Sequence, residues 1–236
     1  MIDLTLDDSG VATLVLDRPA ARNALPIEAW WRLAETVAAI PAPARVLLVA
    51  SAVPGIFSAG ADLADLARLI DDVPARTAFR MAMAAATEAL AGVPIPSIAA
   101  VEGACHGAGV ALTLACDIVV AGSSAQFAIP PARLGIGYPA GDVARLITRV
   151  GRSQAARLLF TAAPIDAAEA LRIGLATMAG DGREVARLVA SRDGGALRLL
   201  KAIATDPADP AHDSGFEASF ASPAFAAGVA RYRGKP

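Results

Sequence analysis

Two runs of small residues govern what this chain can fold into. One is Phe57-Ser58-Ala59-Gly60-Ala61-Asp62-Leu63, and the other is Gly103-Ala104-Cys105-His106-Gly107-Ala108-Gly109-Val110-Ala111-Leu112. Each leads from a glycine-bearing turn into an apolar, helix-like stretch. Each therefore puts bare backbone N–H groups at a helix N-terminus, where an anionic oxygen can sit. Each also follows a short apolar run, residues 45–50 and 97–101, with the length and composition of a buried strand. Two such turns together suggest an oxyanion hole.

The rest of the pattern fits around these runs. Leu4, Leu6 and then Val11, Thr13, Val15 alternate across Ser9-Gly10 and predict an opening β-hairpin. Asn23-Ala24-Leu25-Pro26 predicts a helix start, with Pro26 in the first turn and the helix running to about residue 40. Helices are expected over 62–70 and 74–90 and from the second glycine-rich run to 115, and a third short strand over 117–121. From residue 141 onward the pattern is mostly helical and ends in one helix near 214–232. Strands alternating with helices predict an α/β architecture with buried strands, its chemistry carried on loops at their carboxyl ends.

Composition narrows the class. The 236 residues are 55% apolar and 19% charged, enough for one large core and incompatible with disorder. Segments 41–43 and 206–210 read as connectors, because the apolar pattern resumes at once after each. The most apolar window, 98–120, is interrupted by Glu102, His106 and Asp117, so no run of about 20 apolar residues predicts a membrane helix. The opening Met1-Ile2-Asp3-Leu4 has no basic segment before an apolar one, which argues against a signal peptide. A net charge of −2 with scattered arginines argues against nucleic acid as a partner. Cys105 and Cys116 lack CxxC spacing and are expected to be reduced and packed. A soluble cytoplasmic protein is the expectation. No His/Cys/carboxylate cluster has metal-ligand spacing, and neither GxGxxG nor GxSxG is present in a usable context.

An ordered set of motifs then carries a resemblance. It runs from Leu16-Asp17-Arg18-Pro19-Ala20-Ala21-Arg22-Asn23-Ala24-Leu25 through both glycine-rich runs to Ala115-Cys116-Asp117-Ile118. It continues in Ala125-Gln126-Phe127, Leu134-Gly135-Ile136-Gly137 and Ser222-Pro223. The chain resembles the enoyl-CoA hydratase/isomerase (crotonase) superfamily over nearly its whole length. The resemblance implies an α/β crotonase-like fold of repeated ββα units with a C-terminal helical region. It implies a core over 1–180 with an acyl-CoA site, and a helical trimerisation region over 181–236. Backbone N–H groups of Ala61 and Ala108 would form the oxyanion hole. Ala20, Ala21 and Arg22, with Ala59, Asp62 and Leu63, would line the coenzyme A nucleotide. Asp62 also reads as the cap of the helix at Leu63. Coenzyme A would enter as part of the substrate, with no separate cofactor and no metal. A homotrimer or dimer of trimers is implied, and Phe216, Phe220, Phe225, Val229 and Tyr232 approximate one apolar helical face suited to it.

The chain departs from the family's pattern where it matters most. Hydratases of the family use two glutamates, and those positions match Ala111 and Pro131, neither of which transfers a proton. Three other residues are candidates. Asp142 is either a base with a raised pKa or the N-cap of the following helix. Tyr138 either bonds an enolate or lines a pocket wall. His106 either transfers protons or turns into the core to bond a carbonyl. Asp117 reads as structural and His212 as a solvated loop residue, and Glu102 sits at a strand end. The expectation is a lyase- or isomerase-type step through a thioester enolate, the alternative a non-catalytic acyl-CoA binder.

Overall fold

Alternation across a turn builds the first element: in the computed structural model, which describes residues 1–233, β1 (Ile2–Leu6) pairs antiparallel with β2 (Val11–Leu16). Gly10 closes the turn with φ of +87°. The chain continues through β3 (Ala24–Leu25), α1 (Ile27–Ala38), β4 (Val46–Ser51), β5 (Ile56–Ser58), β6 (Gly60–Ala61), α2 (Leu63–Arg68) and α3 (Val73–Ala91). Next come β7 (Ser97–Val101), β8 (Ala104–His106), α4 (Ala108–Leu114), β9 (Ile118–Ala121), β10 (Gln126–Ala128) and α5 (Ala140–Thr161). The last part holds β11 (Ile165–Asp166), α6 (Ala167–Arg172), β12 (Met178–Ala179), α7 (Gly182–Ala190), α8 (Gly194–Thr205), α9 (Ala211–Ser219) and α10 (Pro223–Arg233).

The repeat is visible in how strands are shared. β4, β7 and β9 lie in a six-stranded sheet of order β1-β2-β4-β7-β9-β12, parallel except for the opening hairpin. Their successors β5, β8 and β10 lie in a second sheet, β11-β10-β8-β5. Helices follow each pair, so ββα is the repeating unit. The central strands are apolar throughout because both faces are covered. Leu47 and Val49 of β4 join Trp30 and Leu33 of α1 in the main core. Val46, Leu48 and Ala50 face the other way, onto Ala186 and Ala190 of α7. Full burial of such side chains contributes about 1.5–3 kcal/mol each.

Three local expectations change. Ala24 and Leu25 form a strand rather than a helix start, and Pro26 is the N-cap of α1. The reason lies just before them: Arg22 and Asn23 adopt left-handed backbone (φ of 52° and 56°), which no helix start allows. The closing helix is two helices: α9 ends at Ser219 and α10 opens at Pro223, which has no N–H to donate, with Ser222 Oγ accepting from the Phe225 N–H at 3.1 Å. His212 is in α9, where its Nε2 meets the carbonyl of Asp206 at 2.9 Å.

Asp117 is structural, as expected. Its Oδ2 accepts from the Ser97 N–H at 2.7 Å and from the buried Lys201 ammonium at 2.9 Å. That ammonium also donates to the Ile95 carbonyl, pinning α8 to the sheet. Beyond α8, Phe216, Phe220 and Phe225 stack edge to face at 5.1 and 5.2 Å, all three exposed. The Tyr232 side chain, part of the expected apolar face, lies outside the described residues. Cys105 and Cys116 are buried and unbridged. Among the described residues no helix is long and apolar enough to cross a membrane.

Candidate functional site

The first glycine-rich run is positioned by one buried amide. Asn23 donates to the Leu16 and Phe57 carbonyls and to Ser51 Oγ, and accepts from the Arg18 N–H at 2.7 Å. Ser58 Oγ donates to the Asn23 carbonyl and accepts from the Gly60 N–H. Segment 22–25 then runs parallel to 59–62. Ala59 donates to the Arg22 carbonyl at 2.9 Å, Asp62 to the Leu25 carbonyl at 3.1 Å, and Leu25 pairs with Ala61. Asp62 caps α2 as expected, accepting from the Ala64 N–H, and its second oxygen takes the Arg18 guanidinium. The hydrogen bond from Arg18, then that from Ala64, holds its carboxyl below the usual carboxylate range. Asp62 is a fixed charge in the frame.

The second run turns through Gly107, whose φ of 52° and ψ of −122° favour glycine. The Gly107 N–H donates to the Ala128 carbonyl, and the Tyr138 hydroxyl donates to the Gly107 carbonyl at 2.9 Å. Ala108 opens α4. Among the described residues no acceptor takes its N–H, as a first-turn position implies. The two runs touch backbone to backbone at Gly60. A Cβ there would stand 2.7 Å from the His106 carbonyl and 2.9 Å from the Ala108 nitrogen. Glycine with φ of +95° is what allows this approach.

Beside this contact opens a cavity of about 710 Å³. Its wall includes Ala61, Ala108, His106 and Tyr138. Ala20, Ala21 and Arg22 line it too, as do Ala59, Asp62 and Leu63. Ten of the eleven residues singled out from the sequence thus meet in one place. Asp142 is the exception, and its cap reading is corrected. Pro139 is the N-cap of α5, and Asp142, in the first turn, is buried against Arg145 at 3.1 Å, off the cavity wall. Burial raises its pKa while Arg145 opposes the shift. Ala111 is fully buried, and Pro131 is on the wall. The sequence reading missed Leu66, Phe79 and Met83, which make the wall apolar from α2 and α3. The four-residue spacing of Phe79 and Met83 marks a helix face, yet says nothing about which cavity that face meets.

Two titratable groups remain on the wall. Burial raises the Tyr138 pKa, with the nearby Asp142 carboxylate adding to it, so the phenol stays protonated. His106 is half-buried, and burial, then Arg22 and Arg133, lowers its pKa below the ordinary 6.5. The expected bond from His106 to a core carbonyl is not made: Nε2 is buried with no partner among the described residues. An orphaned buried nitrogen costs about 1–3 kcal/mol. Arg22 makes no ion pair among the described residues.

The sequence model of the enoyl-CoA hydratase/isomerase family matches residues 7–192, and the chain belongs to that family. It is 36% identical over 225 residues to a probable mitochondrial enoyl-CoA hydratase 2 of Arabidopsis thaliana, covering 93% of this chain and 72% of that protein. It is 34% identical over 171 residues to the mitochondrial methylglutaconyl-CoA hydratase of Mus musculus, covering 72% of this chain. The chain spans about half the length of the methylglutaconyl-CoA hydratases it matches, 54% in mouse and 50% in human. Among solved structures, an enoyl-CoA hydratase/isomerase family protein from Hyphomonas neptunium superposes with a TM-score of 0.90 at 31% identity. That match covers 98% of this chain and 94% of the other, so the crotonase-type α/β fold is shared end to end.

Proposed function

We propose that this chain binds an acyl-CoA thioester in the cavity and holds the thioester oxygen, as it gains negative charge, between the N–H groups of Ala61 and Ala108. The observation that carries the reading is the meeting of both glycine-bearing turns with the Ala20–Arg22 segment around one apolar space. Two preorganised backbone donors stabilise a developing enolate without having to reorient during the reaction. Arg22 has no carboxylate partner among the described residues, and its planar guanidinium suits a phosphate of the nucleotide. Coenzyme A arrives as part of the substrate and no separate cofactor is needed. The names of the relatives, enoyl-CoA and methylglutaconyl-CoA hydratases, support the acyl-CoA class.

The reaction is a lyase- or isomerase-type step through the enolate. Two-carboxylate hydration is unsupported because Ala111 and Pro131 stand where the acids would be. The same positions favour a second reading, a binder that keeps the donors and turns nothing over. Assembly as a trimer or paired trimers would cover the exposed aromatic rings of α9 and α10.

Titration calorimetry with coenzyme A and acyl-CoA tests the first reading. Binding weakened by Arg22→Ala is expected, and no thioester binding at millimolar ligand overturns it. Crotonyl-CoA hydration should fall well below the turnover of about 10 s⁻¹ common among enzymes. Hydration at or above that rate refutes the mechanistic part.

A further inference from the structure

We propose that Tyr138 is a positioning residue that sets the strength of the Ala108 N–H as a donor. It does so through the main chain, by donating its hydroxyl to the Gly107 carbonyl and so orienting and polarising the peptide group that ends in that N–H. The proposal rests on the reading that this N–H holds a thioester oxygen, and it adds the side chain that tunes the donor.

The Gly107 carbonyl and the Ala108 N–H are the two ends of one peptide group. At the oxygen end, the Tyr138 hydroxyl donates at 2.9 Å and the Val110 N–H donates at 2.9 Å, which occupies both lone pairs. At the nitrogen end, no acceptor takes the Ala108 N–H among the described residues, and Ala108 lies on the cavity wall. Resonance couples the two ends. A donor on the oxygen draws electron density away from the nitrogen and leaves the N–H more positive. Linked hydrogen bonds strengthen one another by about 10–30% per bond in this way. The peptide also sits at the junction of β8 and α4, where Gly107 has φ of 52° and ψ of −122°, and the hydroxyl restrains its plane there.

The phenol is placed independently of the peptide it serves. Tyr138 precedes Pro139, the N-cap of α5, and a following proline confines it to extended backbone. Its ring packs on the main core. The start of α5 is tied to α3 by Arg145, whose guanidinium meets Asp142 at 3.1 Å and Glu88 at 2.6 Å. Burial keeps the phenol protonated, so it donates across the neutral pH range. Its single proton is committed to Gly107, and none is left for a bound molecule.

The two oxygen donors are therefore held by different means. Ala61 is paired with Leu25, main chain to main chain. Ala108 depends on a side chain, and Tyr138→Phe removes the hydroxyl while keeping the ring. One donor can thus be weakened with the other left alone.

The test uses the full chain in two states. In the free protein labelled with nitrogen-15, Tyr138→Phe should move the Ala108 amide resonance upfield and leave that of Ala61 in place. An unmoved Ala108 resonance overturns the proposal. The bound state uses hexanoyl-CoA labelled with carbon-13 at the thioester carbonyl, observed by difference infrared spectroscopy near neutral pH. In the wild type the carbonyl stretch should fall below its value in water, and in Tyr138→Phe that downshift should shrink by about 10–30% or more. A downshift unchanged in the variant overturns the proposal alone. Binding with no downshift in the wild type overturns the thioester-oxygen reading, and the proposal with it. Free coenzyme A lacks the carbonyl, so its calorimetric affinity should be the same in both proteins. An equal loss of coenzyme A affinity would mark a merely structural role and overturn the proposal. A second arm keeps the hydroxyl: the chain has two tyrosines, and replacing both with 3-fluorotyrosine makes the phenol a stronger donor. The downshift should then grow, and a smaller one counts against the proposal as decisively.

Discussion

Around Asn23, segments distant in sequence meet through hydrogen bonds of 2.7–3.3 Å, whereas the last two helices pack three phenyl rings against one another and leave them exposed. Both regions are ordered, but by different means. In the first, a fully buried amide satisfies partners from three strands and a loop, so geometry is specified atom by atom. In the second, contact is apolar and non-directional, and the faces remain open to water. The hydrogen bonds that frame the cavity join segments of this chain to one another, while the closing helices leave their rings exposed.

Four measurements press on this contrast. The largest effect should come from Asn23→Ala. It leaves the Arg18 N–H without its acceptor and takes the amide donor from the Phe57 carbonyl and Ser51 Oγ, at about 1–3 kcal/mol for each buried group. A loss of at least about 3 kcal/mol in urea unfolding is expected. A change under about 1 kcal/mol would mean that the frame does not depend on the amide. Next, Gly60→Ala puts a methyl group against backbone atoms at 2.7 and 2.9 Å and forces a left-handed alanine. Strain of about 1–3 kcal/mol follows, with thioester affinity reduced, since the neighbouring backbone must move. Unchanged affinity would show that this contact does not set the cavity.

Truncation before Ser214 tests the other side. The urea midpoint should shift by less than about 1 kcal/mol equivalent, while light scattering shows a trimer or hexamer falling apart. A wild-type chain that is a stable monomer at micromolar concentration ends that half of the comparison. The smallest effect is electrostatic. His106 has a folded pKa below the unfolded value of 6.5, so between the two values the unfolded chain binds more protons. Its stabilising contribution is full above pH 6.5 and declines as pH falls through the folded pKa. In His106→Gln that part of the pH–stability curve should be flat, and an unchanged curve would assign the slope to other groups.

Much of this was legible beforehand because it depends on local pattern. The uniform apolarity of 46–50 follows from burial on both faces, and the small residues at 60–61 and 107–108 follow from close backbone approach. The two- and three-residue strands β3, β5, β6, β8 and β10 were not legible, since so few residues carry no alternation. Asn23 looked like part of a helix start, because its partners lie 28 and 34 residues away in sequence. Asp142 misled for the opposite reason. Its local context fits a cap, but Pro139 begins the helix three residues sooner and Arg145 takes the carboxylate.

The parallel register of Ala24–Leu25 with Gly60–Ala61 has a consequence for tolerance to substitution. The groups it aligns are main-chain atoms, which every amino acid carries. Replacement of side chains along the cavity therefore leaves this alignment of main-chain groups in place. Ala111 and Pro131 carry no titratable side chain, and the register at Ala24–Leu25 and Gly60–Ala61 asks for none.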